Sequence, residues 1–396
     1  MSGTKRVIPG ISIRNVKKQL LNLAGIITQV VPLQNPAANS SKIKKPLVIL
    51  PAGYGSFGDM AIAIAIDGML PGQVEFLVPD DPTRWSKELQ NNVISMRDYT
   101  YTIAMLPNPR KFGELANRDI LVIGADTISG AYETSFLSAR VRLLNEANKK
   151  GYRTQLTNFS FPSDPTKTSV ELLKRLTAQT EFWARDKESK IRFRQIVGFD
   201  AEIAPDIAAA MKIPDKTENS AEATGVLVPN SHFESTLQLD SQKLLQKWAE
   251  TAEAMSRHFP KVVITVNDIR PEVGDMRLAN EIASQLSRSG IQAEVIEPVN
   301  AVHAKQIYNM ADVLVTGRMH AGVAALSLGI PTYGIEYLGK FEGQFEWYEV
   351  PNLVQDASGW LECPLEEIST NIESLLAESH QRSSGRPNVT WGWIPR

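Results

Sequence analysis

Leu47-Val48-Ile49-Leu50-Pro51-Ala52-Gly53-Tyr54-Gly55-Ser56-Phe57-Gly58-Asp59-Met60-Ala61 sets the fold class. A short apolar run enters a glycine-rich turn, and an apolar helical run follows from Ala61 to Ile66. That is the sequence form of a buried strand feeding a helix. Glycines at such a turn allow tight reversal and close backbone approach, and the start of a helix attracts anions. The Lys-Ser/Thr ending of a Walker loop is absent. Asp59 is read either as a helix cap or as a polar group facing a ligand.

The same alternation continues downstream. Val74 to Val78, Ile120 to Ile123, Tyr152 to Leu156, Glu181 to Ala184 and Ile196 to Val197 read as further strands, with a helix across Phe136 to Asn148. Pro205, Pro214 and the polar run Asp215 to Ser220 mark a boundary. A second series follows, with strands at Thr224 to Val228, Lys261 to Val266, Gln292 to Ile296, Asp312 to Val315 and Thr332 to Ile335. Short apolar strands alternating with helices imply βαβ units and parallel sheets. The expected fold is α/β, two Rossmann-like domains in tandem with a ligand cleft between them at the carboxyl ends of the strands. The expected division is an arm over residues 1–45, halves over 46–213 and 214–345, and a helix and tail over 346–396 that pack back on the body.

The 396 residues carry a formal charge of −2, which gives no global reason to expect nucleic-acid binding. The balance is uneven. The first 45 residues hold eight Lys and Arg and no acid, so this segment is +8 and the remainder is −10. Val16, Leu20, Leu23, Ile26, Ile27 and Val30 form one apolar stripe beside Lys17 and Lys18. The stripe fits either a helix packed on the body or a helix on an anionic membrane surface. In the second case, deleting residues 1–45 abolishes binding to anionic vesicles. Cys363 is the single cysteine, which excludes an intrachain disulfide and any multi-cysteine metal site. A reduced, cytoplasmic compartment is expected. No apolar run reaches the length of a membrane span.

Four stretches carry candidate chemistry. In Val315-Thr316-Gly317-Arg318-Met319-His320-Ala321-Gly322 a strand runs through glycine into a small-residue helix. Arg318 and His320 fall at its start, where N–H groups favour an anion, and His320 can exchange a proton near neutral pH. Asp126, in Gly124-Ala125-Asp126-Thr127, is either a base or hydroxyl binder, or ordinary turn chemistry. Arg185 ends a strand; it either holds a phosphate or carboxylate through two hydrogen bonds, or joins Asp186 in capping the next helix. Beyond the last strand, Lys340 adds positive charge and Glu336 can accept from a sugar hydroxyl, while Trp347 either stacks on a sugar or packs between the halves. His232, His258, His303 and His380 lack such a setting and read as surface or core residues.

Gly55-Ser56-Phe57-Gly58-Asp59-Met60-Ala61-Ile62, Arg185-Asp186-Lys187-Glu188-Ser189, Ala204-Pro205-Asp206-Ile207-Ala208 and Gly317-Arg318-Met319-His320 through Pro331, continued by Tyr337 and Lys340, occur in that order. In this set the chain resembles the polysaccharide pyruvyltransferases, across residues 46–350. Ser56, Met60 and the Gly124-Ala125-Asp126 run depart from the family's usual Asn, acid and Gly-Gly-Gly, which touches the acceptor side more than the donor side.

The resemblance implies a GT-B-like fold and transfer of a pyruvyl group from phosphoenolpyruvate to two hydroxyls of one sugar, giving a cyclic ketal and phosphate. The acceptor would be a glycan or a lipid-linked sugar. Arg318, Lys340 and the helix start at Gly317 and Met319 would hold the donor's anionic groups, with the backbone at Gly58 beside them and Arg185 across the cleft. His320 would be the acid, or the group that later protonates the leaving phosphate, and Asp59, Asp126 or Glu336 would deprotonate a hydroxyl. No cofactor or metal is implied, since Arg and Lys can neutralise the phosphate. A nucleotide-sugar glycosyltransferase of the same shape and a non-catalytic glycan-binding module are the competing readings.

Overall fold

The computed structural model describes residues 44–379, apart from 52, 100–108, 131–133, 215–221, 272 and 338. The stripe from Val16 to Val30, all of the basic arm but Lys44 and Lys45, and His380 lie outside the described residues.

Two wholly parallel sheets form the body. The first has seven strands, β1 (Leu47–Ile49), β2 (Glu75–Val78), β3 (Asn92–Ser95), β4 (Ile120–Ala125), β5 (Thr154–Phe159), β6 (Thr180–Ala184) and β7 (Glu202–Ile203), in the order β3-β2-β1-β4-β5-β6-β7. The second has six, β8 (Thr224–Val228), β9 (Lys261–Thr265), β10 (Glu294–Ile296), β11 (Val313–Thr316), β12 (Thr332–Glu336) and β13 (Val354–Asp356), in the order β10-β9-β8-β11-β12-β13. Each order starts at a central strand, winds outward and then reverses. The reversal puts a switch point between β1 and β4 and another between β8 and β11, where loops diverge and leave a crevice. Strands β1 and β4 are buried throughout, as strands covered on both faces must be. The two parallel α/β sheets make a two-domain, Rossmann-like body of the GT-B kind.

Three elements differ from the sequence expectation. Ile196 and Val197 end the helix Lys187–Val197 instead of forming a strand. Asp186 caps that helix by accepting from Ser189 N at 2.6 Å, and Gly198 stops it with a left-handed φ of +96°. The edge strand falls later, at Glu202–Ile203. Strands β3 and β13, both on sheet edges, carry too little apolar pattern to stand out.

The halves share a core. Phe57, Met60, Ile62 and Ile66 of the helix Phe57–Met69 belong to one buried cluster with Ala304, Ile307, Tyr308, Ala321 and Ala324 of the second half. Backbone bonds reinforce the seam: Phe57 N donates to Asn267 O at 3.0 Å, and Ile269 N donates to Gly55 O at 3.0 Å. The helix Leu365–Ser379 packs on the helix Ser241–Ser256 in the second half. Among the described residues, no helix is long and apolar enough to cross a membrane.

Candidate active site

Both switch points open onto one cavity of about 360 Å³. Its walls come from the loops after β1 (Pro51, Gly53, Ser56, Asp59), β2 (Pro79, Asp80), β4 (Asp126, Thr127), β8 (Asn230, His232), β9 (Asn267, Asp268, Arg270), β11 (Gly317, Arg318, Met319, His320) and β12 (Glu336, Tyr337, Lys340), with Phe136 on the first-half side. Of the sequence-predicted residues, Asp59, Asp126, Gly317, Arg318, Met319, His320, Glu336 and Lys340 line it. Gly58 and Arg185 do not.

Arg185 was expected to face an anion across the cleft. It is buried instead, with 1% of its side chain exposed, because two carboxylates compensate its charge. Its Nη2 donates to Asp126 Oδ1 at 2.6 Å, its Nη1 to Asp206 Oδ2 at 2.9 Å and its Nε to Ser160 Oγ at 2.7 Å. Burial disfavours the guanidinium charge, but Asp126 and Asp206 outweigh it and push its pKa up. Segment 341–348 covers its backbone: Gln344 Nε2 and Trp347 Nε1 both donate to Arg185 O, at 2.8 and 3.0 Å. Trp347 therefore takes the packing alternative.

Arg185 is the centre of a chain of alternating charge. Lys340 Nζ donates to Asp126 Oδ2 at 2.7 Å, Asp126 binds Arg185, Arg185 binds Asp206, and Asp206 Oδ2 lies 3.4 Å from His320 Nε2. The two ends, Lys340 and His320, come from the second half, and the three middle members come from the first. Burial would raise the pKa of Asp126, but Lys340 and Arg185 hold it well below the usual carboxylate range. Asp126 is thus a bound counterion, which makes it a poor base and departs from the sequence expectation. Asp206 is likewise held down: burial opposes its charge, and His320, Arg185 and the Ala208 N–H outweigh burial.

Asp59 differs from its neighbours. It lines the cavity, is 9% exposed, and accepts from Ser56 Oγ at 2.5 Å. No basic side chain forms an ion pair with it among the described residues. Burial raises its pKa despite the opposing pull of His320 and Ser56. A buried carboxylate with a raised pKa and no ion pair among the described residues is poised to accept a proton. Glu336 also has a raised pKa from burial, but it accepts from Phe341 N at 2.7 Å at the start of the helix Phe341–Phe345. That bond ties the carboxylate to its own loop and to the position of Lys340.

Gly58 serves as a slot. A Cβ at this position would lie 2.0 Å from His320 Nδ1, so only glycine lets the ring pack on the first turn of helix 57–69. The expected role in holding substrate through its backbone does not fit a residue that is buried and off the cavity wall.

Arg318 stands at the start of the helix Met319–Leu326, with a guanidinium fixed by protein groups. Nε and Nη2 donate to the two oxygens of Asp275, at 2.9 and 2.5 Å, and Nη1 lies 3.4 Å from His232 Nδ1. Burial disfavours its charge, but Asp275 outweighs burial and raises its pKa. His232, read from sequence as surface or core, is on the cavity wall. Its Nε2 donates to Val273 O at 3.0 Å, which leaves Nδ1 as an acceptor toward Arg318. Burial and the neighbouring Arg318 lower its pKa.

Sequence reasoning also passed over Asp206, Asp275, Arg140 and Phe136. Asp206 stood inside the quoted Ala204-Pro205-Asp206 stretch and could have been singled out. Asp275 lies 43 residues from its partner, with no local signal. Buried Arg140 ties the loops after β1 and β4: Nη2 donates to Leu50 O and Pro51 O at 3.0 and 3.1 Å, and Nη1 donates to Thr127 Oγ1. Burial lowers its pKa to about 10.

Solved structures share this architecture. The UDP-GlcNAc 2-epimerase from Methanocaldococcus jannaschii is 15% identical over 87% of this chain and 94% of its own, with a TM-score of 0.55. The UDP-GlcNAc 2-epimerase from Neisseria meningitidis, solved bound to UDP-GlcNAc, is 11% identical over 87% and 94%, at 0.52. A glycosyltransferase from Rickettsia africae is 11% identical over 85% and 89%, at 0.50. At these identities the likeness is one of fold. No curated protein matches the sequence. The polysaccharide pyruvyl transferase family matches residues 57–339, which include the helix Phe57–Met69, the buried Arg185–Asp206 pair and the Arg318–His320 helix start. The chain is a member of the polysaccharide pyruvyl transferase family.

Proposed function

We propose that the protein transfers the pyruvyl group of phosphoenolpyruvate to two hydroxyls of one sugar in a glycan or lipid-linked acceptor, forming a cyclic ketal and releasing phosphate. The observation that carries this reading is the convergence of Lys340, Arg318, His320 and Asp59 on one cavity at the two switch points. A donor with two anionic groups needs cations and N–H groups at fixed positions, and an enol phosphate needs an acid near its methylene carbon.

The chemistry balances as follows. His320 gives a proton to the methylene carbon, which becomes a methyl group and leaves an oxocarbenium-like centre at the adjacent carbon. One sugar hydroxyl attacks that centre and loses its proton to Asp59. Phosphate leaves with its bonding electron pair, and the second hydroxyl attacks the carbon it vacates. The two hydroxyl protons replace the one taken by carbon and supply one to phosphate or solvent. Lys340 and the helix start at Met319 stabilise the negative charge on the departing phosphate. Phe136, Pro51 and Pro79, on the first-half wall, offer apolar surface for a sugar ring.

The competing reading is a nucleotide-sugar transferase, since a fold neighbour was solved with UDP-GlcNAc. Such a site would use Glu336, which is on the cavity wall, for ribose. Thermal shift separates the readings, because a ligand that binds the folded state raises the melting temperature. Phosphoenolpyruvate should stabilise the protein and UDP-sugars should not; the reverse pattern rejects the proposal.

A further inference from the structure

We infer that Asp206 is a positioning residue that fixes the ring of His320 with its Nε2–H toward the Asp206 carboxylate, which leaves Nδ1 without hydrogen in the neutral ring. The kinetic part of this inference rests on the proposed function; the state of the ring does not.

Two groups of the first half face Nε2 of the ring. Asp206 Oδ2 is 3.4 Å from Nε2, and Arg185 Nη1 is 3.5 Å from it. That same Nη1 already donates to Asp206 Oδ2 at 2.9 Å. An ionised carboxylate only accepts, so a bare Nε2 would set two lone pairs against each other. A protonated Nε2 turns the contact into donation and leaves Arg185 in its bond with Asp206.

Asp206 is held for this task from several sides. Its side chain is fully buried. Oδ1 accepts from Ala208 N at 2.9 Å, capping the short 3₁₀ helix Ile207–Ala210, and from Asn158 Nδ2 at 3.4 Å. Asn158, at a left-handed φ of +54°, also accepts from Ile207 N at 2.8 Å. At the far end of the same turn, Lys305 from the second half donates to Met211 O at 2.7 Å. The carboxylate is therefore anchored to β5, to its own turn and, through Lys305, to the half that carries His320. On the opposite edge of the ring, Nδ1 packs over Gly58, whose chain neighbour is Asp59. The ring is thus held between a carboxylate on one edge and a residue without a side chain on the other.

The test uses the full chain with ¹⁵N-labelled histidine, at a pH where the ring is neutral. The His320 signals are identified by their loss in His320→Gln. The expected spectrum has Nε2 protonated and Nδ1 bare; a ring protonated on Nδ1 overturns the inference. Asp206→Asn should lower kcat on the order of a hundredfold or more with the donor KM little changed, as expected when a histidine loses the carboxylate that fixes its tautomer. A folded Asp206→Asn protein with wild-type kcat also overturns it. Asp206 pairs with Arg185, so the variant can fail to fold; the wild-type spectrum decides in that case. If the wild-type protein transfers no pyruvyl group, the functional reading falls, and the spectrum still decides the Asp206 contact.

Discussion

His320 Nδ1 occupies the space that a side chain at position 58 would need: a Cβ on Gly58 would lie 2.0 Å from it. Gly58 sits in the first turn of helix 57–69 in the first half, and His320 enters from the second half. The fit of one half to the other is thereby written into the placement of a single ring.

Gly58→Ala should therefore be an activity mutant. The new methyl group must push the ring away, and misplacing a reacting group by about 1 Å costs on the order of a hundredfold in rate. Overpacking should cost stability by about 1–3 kcal/mol. Steady-state phosphate release and a thermal melt measure the two effects. An alanine variant with full turnover would show that the ring need not sit where it does.

Asp59→Asn removes the cavity carboxylate that lacks an ion-pair partner among the described residues. Loss of a general base should lower kcat roughly 10²–10⁴-fold. Donor binding, read by thermal shift with phosphoenolpyruvate, should persist. If Asp126→Asn abolishes turnover while Asp59→Asn leaves it intact, the base has been assigned to the wrong residue.

Lys340→Ala removes the end of the charge chain that faces the cavity. A hydrogen bond to a charged group is worth about 1.5–3 kcal/mol. The donor KM should accordingly rise by roughly ten- to hundredfold, with the acceptor KM unchanged. An increase confined to the acceptor would place the donor elsewhere.

Stability should depend on pH with two opposite signs. Asp126 and Asp206 have folded pKa values below the unfolded value of about 3.9. Their contribution is complete above that value and is lost as pH falls from it toward the folded pKa values. The pKa of Asp59 is raised on folding, so its contribution is present below the unfolded value and is lost as pH rises through the folded one. Denaturant midpoints should thus fall steeply below about pH 4. Asp59→Asn should be at least as stable as wild type at pH 7 while being less active; a marked loss of stability there would mean that the Asp59 charge is compensated by groups other than those seen.

The fold was legible because buried parallel strands leave uninterrupted apolar runs. Thr224 to Val228 is a strand in sequence and in structure alike. Strand Ile196–Val197 was misread because the end of an amphipathic helix also presents adjacent apolar residues, and Asp186 and Gly198, which cap it, carried the better signal. At the site, Arg318 and His320 were visible from their position after a strand. Their partners were not. Asp275, Asp206 and His232 reach them through the sheet order, which brings together loops far apart in the chain. Arg185 shows the converse limit: an Arg at a strand end has the same sequence whether it meets a ligand or two carboxylates of its own chain.

The most direct measurement incubates the full-length protein with phosphoenolpyruvate and a panel of glycan and lipid-linked acceptors. Mass spectrometry of the glycans is read beside phosphate release. The expected result is an acceptor that gains one pyruvate less one water, with one phosphate released per gain, and no gain with His320→Gln. Phosphate-free, unmodified acceptors across the panel, together with nucleotide release from a UDP-sugar, would contradict the pyruvyl-transfer account.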